Sequence, residues 1–217
     1  MIKKHKLALI LTSLVTLIPI LVGLLLWNKL PEQVPCHWDI HGQVDGWSGK
    51  TQAVFLMPLL MLAMHWICVL AATADPKSKH YHPKSIQLVL WICPILNLVL
   101  NTMVYAAALG YGVNVELIMS LLMGVLFIFV GNLLPKMQQS YTMGIKLPWT
   151  LHNEENWNKT HRLGGKVWVI GGIITMLTAF FGNFWLMMVI LVAMVILPTV
   201  YSYLYYRNHE KEKKDGN

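Results

Sequence analysis

The stretch LALILTSLVTLIPILVGLLLW, residues 7–27, decides which solvent this chain folds in. It carries no charge and is as long as the run of about 20 mostly apolar residues that a helix needs to cross a bilayer. Five further stretches have the same character: residues 52–73, 86–109, 115–134, 165–181 and 184–205. Hydrocarbon offers a backbone N–H or C=O no partner, so such spans must be helices. Composition agrees, with 56% of the residues hydrophobic and 12% charged, against about a quarter charged in soluble domains. The expected fold is an all-α integral membrane protein with six transmembrane helices. Residues 7–27 also suit a signal peptide, but LLLWNKLPEQ follows the apolar run in place of a small-x-small cleavage pattern, so they read as an uncleaved span. Short connections at residues 110–114 and 182–183 make the third and fourth spans, and the fifth and sixth, antiparallel hairpins.

Orientation follows from lysine and arginine, which accumulate in cytoplasmic segments. Fifteen of the 17 lie before the first span, in the second loop, in the fourth loop and its edge at Lys166, or after the last span; Lys29 and Lys50 alone lie in the first loop. Both termini are therefore expected in the cytoplasm. The net charge of +7 is thereby accounted for by topology, and direct nucleic-acid binding is excluded. Three cysteines are too few for a secreted disulfide framework. The chain divides on this reading into residues 1–110, three spans with an extracytoplasmic loop at 28–51, and residues 111–217, three spans with a cytoplasmic loop at 135–164.

The extracytoplasmic loop contains PEQVPCHWDIHGQVDGWSGK, residues 31–50. Its prolines and glycines oppose a long helix, and Asp45-Gly46 is a turn signal. Trp38 and Trp47 suit the headgroup level, so the loop reads as a compact cap on the outer surface. His37, Asp39 and His41 share a face if extended, whereas His37 and His41 share one in a helix. Either arrangement, completed by Asp45 or Cys36, could hold a divalent metal such as zinc. His-x-Asp-x-His matches no strong metal signature, and no cofactor is required. The favoured role is recognition, carried by His37, Trp38, Asp39, His41, Asp45, Trp47 and Lys50. The alternative is a metal-dependent membrane hydrolase built on His37, Asp39, His41 and Asp45; no other catalytic residue is nominated.

The cytoplasmic loop contains YTMGIKLPWTLHNEENWNKTHRLGGK, residues 141–166. Asn153 followed by Glu154 and Glu155 is a helix start, and Lys159, His161 and Arg162 complement the far end of a short amphipathic helix. Trp149, Trp157 and Leu163 could anchor that helix at the inner interface.

Together these two loops resemble the SdpI family of bacterial membrane proteins. The outer resemblance rests on Leu30, Pro31, Pro35, His37, Gly42, Asp45 and Lys50. The inner one rests on Gly144, Ile145, Lys146, Pro148, Trp149, Thr150, Trp157, His161, Arg162 and Gly165. Family members usually carry Arg where Lys146 stands and Asn near Ser140; lysine keeps the charge but loses the planar five-donor fork. The resemblance implies a multi-pass immunity protein of the bacterial plasma membrane, in contact with membrane lipids. Such a protein confers resistance to a secreted antimicrobial peptide, and in the family it also holds a cytoplasmic transcriptional autorepressor at the membrane. Lys146, Trp149, Thr150, Trp157, His161 and Arg162 would form the surface for that partner.

Within the spans the strongly polar exceptions are His65, Asn97, Asn101 and, at the outer edge of the fourth span, Glu116. His65 and Asn97 could meet near the midplane, and hydrogen bonding between helices is favoured over an ion pathway. Gly165 and Gly172, seven residues apart, mark a close helix contact.

Overall fold

The computed structural model describes residues 2–181 and 184–215; the connection expected at residues 182–183 lies outside them. The described residues form seven α-helices and one two-stranded hairpin, with short 3-10 and π-helical turns between them. In order they are α1 (Lys6–Leu25), β1 (Gln33–Trp38), β2 (Val44–Gly49), α2 (Met57–Ala74), α3 (Pro83–Ala108), α4 (Val115–Leu133), α5 (Pro148–His152), α6 (Glu154–Thr178) and α7 (Phe184–Asp215). A π-helical turn, Gln52–Leu56, leads into α2. Among the described residues, five helical segments are long and apolar enough to cross a membrane: Lys6–Leu25, Gln52–Ala74, Pro83–Ala108, Val115–Lys136 and Trp185–His209.

The expected fifth span, residues 165–181, differs. It and the expected short amphipathic helix before it are one continuous helix, α6, which starts at Glu154. Its polar first half and its glycines and threonines keep it outside the set of strongly apolar helices. Asn153 caps it as the sequence indicates, its side chain accepting from the Asn156 N–H at 2.9 Å, with Glu154 and Glu155 in the first turn.

By internal packing the chain forms two compact units, residues 1–74 with 86–116, and residues 75–85 with 117–217. In the first unit α1 is the common partner of the buried polar groups. His65 of α2 reaches Thr12 Oγ1 at 3.1 Å. Asn97 of α3 donates to the Thr16 carbonyl one turn further along, at 2.8 Å. Asn101 donates back to the Asn97 side chain at 2.8 Å, and the Tyr105 hydroxyl to the Pro19 carbonyl at 3.1 Å. His65 and Asn97 thus bond α1 rather than each other, because Leu9, Thr12, Thr16, Pro19 and Gly23 form a buried stripe along that helix. A Cβ at Gly23 would lie 2.8 Å from the Tyr105 hydroxyl and from a Val54 methyl. The α3–α4 connection closes at Gly110, whose φ of +83° lets the Tyr111 N–H reach the Ala106 carbonyl at 3.0 Å, a left-handed helix stop that favours glycine.

In the second unit α6 meets α4 through paired glycines. A Cβ at Gly172 would lie 2.7 Å from the Gly124 carbonyl oxygen, and one at Gly165 would lie 2.8 Å from that of Gly131. The expectation for Gly165 and Gly172 therefore holds, and Gly124 and Gly131 of α4 are the matching residues, also seven apart. The adjacent Gly171 faces α7 instead, where a Cβ would lie 2.4 Å from the Met194 sulfur.

Candidate functional site

The outer polar segment is a hairpin, and its details follow from register. Pro35 pairs with Trp47, His37 with Gly46 and Trp38 with Val44. The ladder thus passes over Cys36 on β1 and Asp45 on β2, bulges that re-aim side chains. Bulged Asp45 thereby meets His37, with Oδ1 2.5 Å from Nδ1, and both side chains are largely exposed. Gly46 permits the approach, since a Cβ there would lie 2.7 Å from that of His37. Residues 44–47, expected as an Asp-Gly turn, are strand. The chain reverses instead at Asp39–Gln43, with Gly42 at a φ of +73°. Asp39 shapes that turn: its carboxylate accepts from the N–H groups of His41 at 2.9 Å and Gln43 at 2.8 Å. The Gln43 bond chiefly holds its carboxyl below the ordinary value.

The metal set expected from the spacing is not assembled. Asp39 is committed to the turn and Asp45 to His37, and among the described residues no three His, Cys, Asp or Glu side chains converge as metal ligands. His41 and Trp47 are exposed, while Trp38 is half-buried. Lys50 has a structural role. Its ammonium donates to the carbonyls of Trp27 at 3.3 Å and Leu30 at 3.4 Å and to Glu32 at 2.7 Å, and sits 5.0 Å from the Trp27 ring centre. It ties the base of the hairpin to the end of α1.

The inner polar segment is a folded module. Trp157 and His161 are stacked, with ring centres 4.0 Å apart, and are fully buried. The Trp157 indole donates to the Met137 carbonyl at 2.8 Å. His161 Nε2 accepts from the Ile145 N–H at 2.9 Å and Nδ1 lies 2.8 Å from the Trp157 carbonyl. This arrangement requires a neutral ring protonated on Nδ1. Burial pushes its pKa down to about 4, against the raising effect of the Trp157 carbonyl. Gly144 closes over both rings with a φ of +108°, and a Cβ there would lie 2.5 Å from His161 Nε2.

Thr150 is buried too; its hydroxyl accepts from the Leu147 N–H at 2.9 Å and lies within 2.9 Å of the Ile145 carbonyl. Trp149 is half-buried, donating to Ser202 Oγ of α7 at 2.8 Å and packing on Tyr203 and Tyr206. Of the six residues expected to face a soluble partner, only Lys146 and Arg162 are exposed. Thr150, Trp157 and His161 lie inside, because an indole and an imidazole in a polar loop are the groups able to bury area while bonding backbone.

Asp75, just past the end of α2, organises the rest. Its carboxylate accepts from the Lys77 N–H (2.8 Å), the Tyr81 hydroxyl (2.7 Å), the Tyr141 N–H (2.8 Å), the Thr142 N–H (2.9 Å) and the Thr142 hydroxyl. Burial alone would raise its pKa; the bonds from Thr142, Tyr81 and the Lys77 and Tyr141 backbone outweigh it and bring it down to about 2. The Lys77 ammonium bonds Gln139, whose amide donates to the Thr150 and Leu151 carbonyls at 2.9 Å. Sequence reasoning does not single out Asp75, although one signal is present. An anion at a helix C-terminus opposes the dipole, so it needs donors from elsewhere. The Asn156 amide and Ser202 likewise bond at 2.9 and 3.1 Å across 46 residues of sequence.

These features define a helical membrane protein with a folded hairpin in one unit and a folded polar module in the other. Residues 136–202, which include most of that module, match the SdpI/YfhL protein family, and residues 14–62, which include the hairpin, match a domain of unknown function, DUF1648. The SdpI/YfhL match does not extend to the hairpin. Over 204 residues the chain is 26% identical to "Immunity protein SdpI" of Bacillus subtilis (strain 168), covering 91% of this chain and 95% of that one. No solved structure matches it.

Proposed function

We propose that this chain is a multi-pass immunity protein of the bacterial plasma membrane, conferring resistance to a secreted, membrane-active peptide that it meets through the hairpin unit. The observation that carries this reading is the similarity to an immunity protein along nearly the whole of both chains. The topology we infer has six crossings with both ends in the cytoplasm. Bonds from Asp75 to Tyr141 and Thr142, and from Lys77 to Gln139, support one side for loops 75–85 and 135–147. The hairpin is one span removed from that side. Sheltered between helices, α6 needs less lipid-facing area than a lone span. Its exposed Ile170, Ile173, Ile174 and Leu177 form a stripe at helical spacing suited to lipid.

On the inner face, exposed Lys146 and Arg162 offer a basic surface to an acidic patch on a soluble partner such as a transcriptional autorepressor. The Trp157–His161 core holds the shape of that surface without touching the partner. Expression in a sensitive bacterium, followed by challenge with a panel of secreted toxic peptides, tests the main reading. Raised survival against at least one peptide is expected, and unchanged survival against all of them refutes it.

A further inference from the structure

In the second unit α4 and α6 run antiparallel, since Gly124 meets Gly172 and Gly131 meets Gly165. The residue after each glycine lies about 100° around its helix from that seam. Because the two helices run in opposite directions, these four positions turn to the same side of the pair. They are Val125, Asn132, Lys166 and Ile173, and all four are exposed. Phe129 and Ile170 continue the two rows and are exposed as well. Lys136, exposed in the 3-10 turn that continues α4, closes the α4 row. One face of the pair is therefore apolar over Val125, Phe129, Ile170 and Ile173, and polar over Asn132, Lys136 and Lys166.

Counted from the glycine contacts, Asn132 and Lys166 lie at nearly the same height, with Lys136 further toward the polar end. Side chains on a helix lean toward its N-terminus, so on these antiparallel helices Lys166 and Lys136 lean toward one another. Among the described residues neither ammonium is paired with a carboxylate. Two cations and an amide over a two-helix apolar strip match one phospholipid, with its phosphate above and its chains below. Length points the same way. Thr178 ends α6 twelve residues beyond Lys166, about 18 Å at 1.5 Å per residue, against about 30 Å of hydrocarbon. A span that short draws the bilayer in beside it, and a phosphate brought down to Lys166 meets that charge. A zwitterionic headgroup carries its own cation toward the same lysines, whereas an anionic one does not. We propose that this face of α4 and α6 binds an anionic phospholipid of the inner leaflet, its phosphate held by Lys136, Lys166 and Asn132. The proposal rests on the six-crossing reading, which puts both helices in the bilayer, and is independent of the immunity reading. Arg162, a turn nearer the inner solvent, is left to the soluble partner.

The full chain in detergent is mixed with equal phosphatidylglycerol and phosphatidylcholine of matched acyl chains, and the lipid it retains is identified by native mass spectrometry. The parent is expected to retain phosphatidylglycerol over phosphatidylcholine at least about fivefold. Lys136→Gln with Lys166→Gln should bring that ratio close to one, and Lys166→Gln alone, the milder change, should at least about halve it. Lys136→Arg with Lys166→Arg should keep it, since arginine also donates to phosphate. Lys79→Gln with Lys84→Gln, which removes two exposed lysines from the second loop, should leave it unchanged. A ratio that survives both glutamine variants at 136 and 166, or falls as far in the Lys79 and Lys84 variant, overturns the site. Glycerol phosphate in excess should displace little of the lipid; full displacement makes free phosphate the ligand and overturns the lipid. A parent that retains both lipids equally, while labelling in cells puts positions 37 and 146 on opposite sides, overturns the site and leaves the topology standing. Preference lost in the glutamine variants, with both positions on one side, sinks the topology and supports the site.

Discussion

Replacing Asp75 with Asn changes no volume and leaves one acceptor oxygen where five donors converge on two. If the amide oxygen faces Tyr81, Tyr141 and Thr142, its NH₂ confronts the Lys77 N–H; the opposite orientation sets it against the other four. The charge is lost in either case. A carboxyl brought from its ordinary value of 3.8 to about 2 contributes about 2 kcal/mol to the folded state, at 1.36 kcal/mol per pH unit. Because the folded pKa lies below the unfolded one, that stability is fully present above about pH 4 and disappears as pH falls through 2. For a chain of this size about 2 kcal/mol corresponds to roughly 4–8 °C in melting temperature. Thermal unfolding of purified protein in detergent at pH 7 should show that drop for Asp75→Asn. Tyr81→Phe, removing one neutral donor, should cost about 1 kcal/mol. The double variant should cost less than the sum, since each change removes part of the same network. Equal melting temperatures for the parent and Asp75→Asn at pH 7 would refute the argument. So would a difference that fails to shrink between pH 4 and pH 2.

Because His161 is held neutral with its pKa at about 4, acid must destabilise the inner module. The stability it contributes is present above pH 6.5 and is lost on descent toward pH 4, about 3 kcal/mol in all; His161→Gln should flatten that part of a stability-against-pH curve. A methyl at Gly172 would lie 2.7 Å from a backbone oxygen, which has little freedom to move. Gly172→Ala should therefore cost about 1–3 kcal/mol, read as a lower melting temperature, whereas Gly112→Ala, with open space around it, should be neutral. For topology, single cysteines at positions 37 and 146 in a cysteine-free chain should differ in intact cells. The first should react with an impermeant maleimide, and the second only after lysis.

The Asn153 cap was legible in the sequence because capping acts over three residues. The Gly165–Gly172 spacing was legible because helical periodicity makes a face readable without its partner. The hairpin turn was not. Asp45-Gly46 carries the stronger local turn signal, yet the register of β1 against β2 puts it in a strand, and pairing across strands has no signature within either one. The buried state of Trp157 and His161 also escaped, because an aromatic in a polar loop reads as an interfacial anchor until the loop is seen to fold around it.

By itself the sequence determined that this chain dissolves in a bilayer as helices, since a long uncharged run leaves the backbone no other way to satisfy its hydrogen bonds. It also determined where the polar segments lie along the chain. Only the tertiary structure decided what those segments do. Asp75 finds three of its five donors, on Tyr141 and Thr142, more than sixty residues away in sequence, and a cavity lined by Cys36, Met61 and Asn101 has walls from three separate parts of the chain. Both depend on distances that no local pattern encodes.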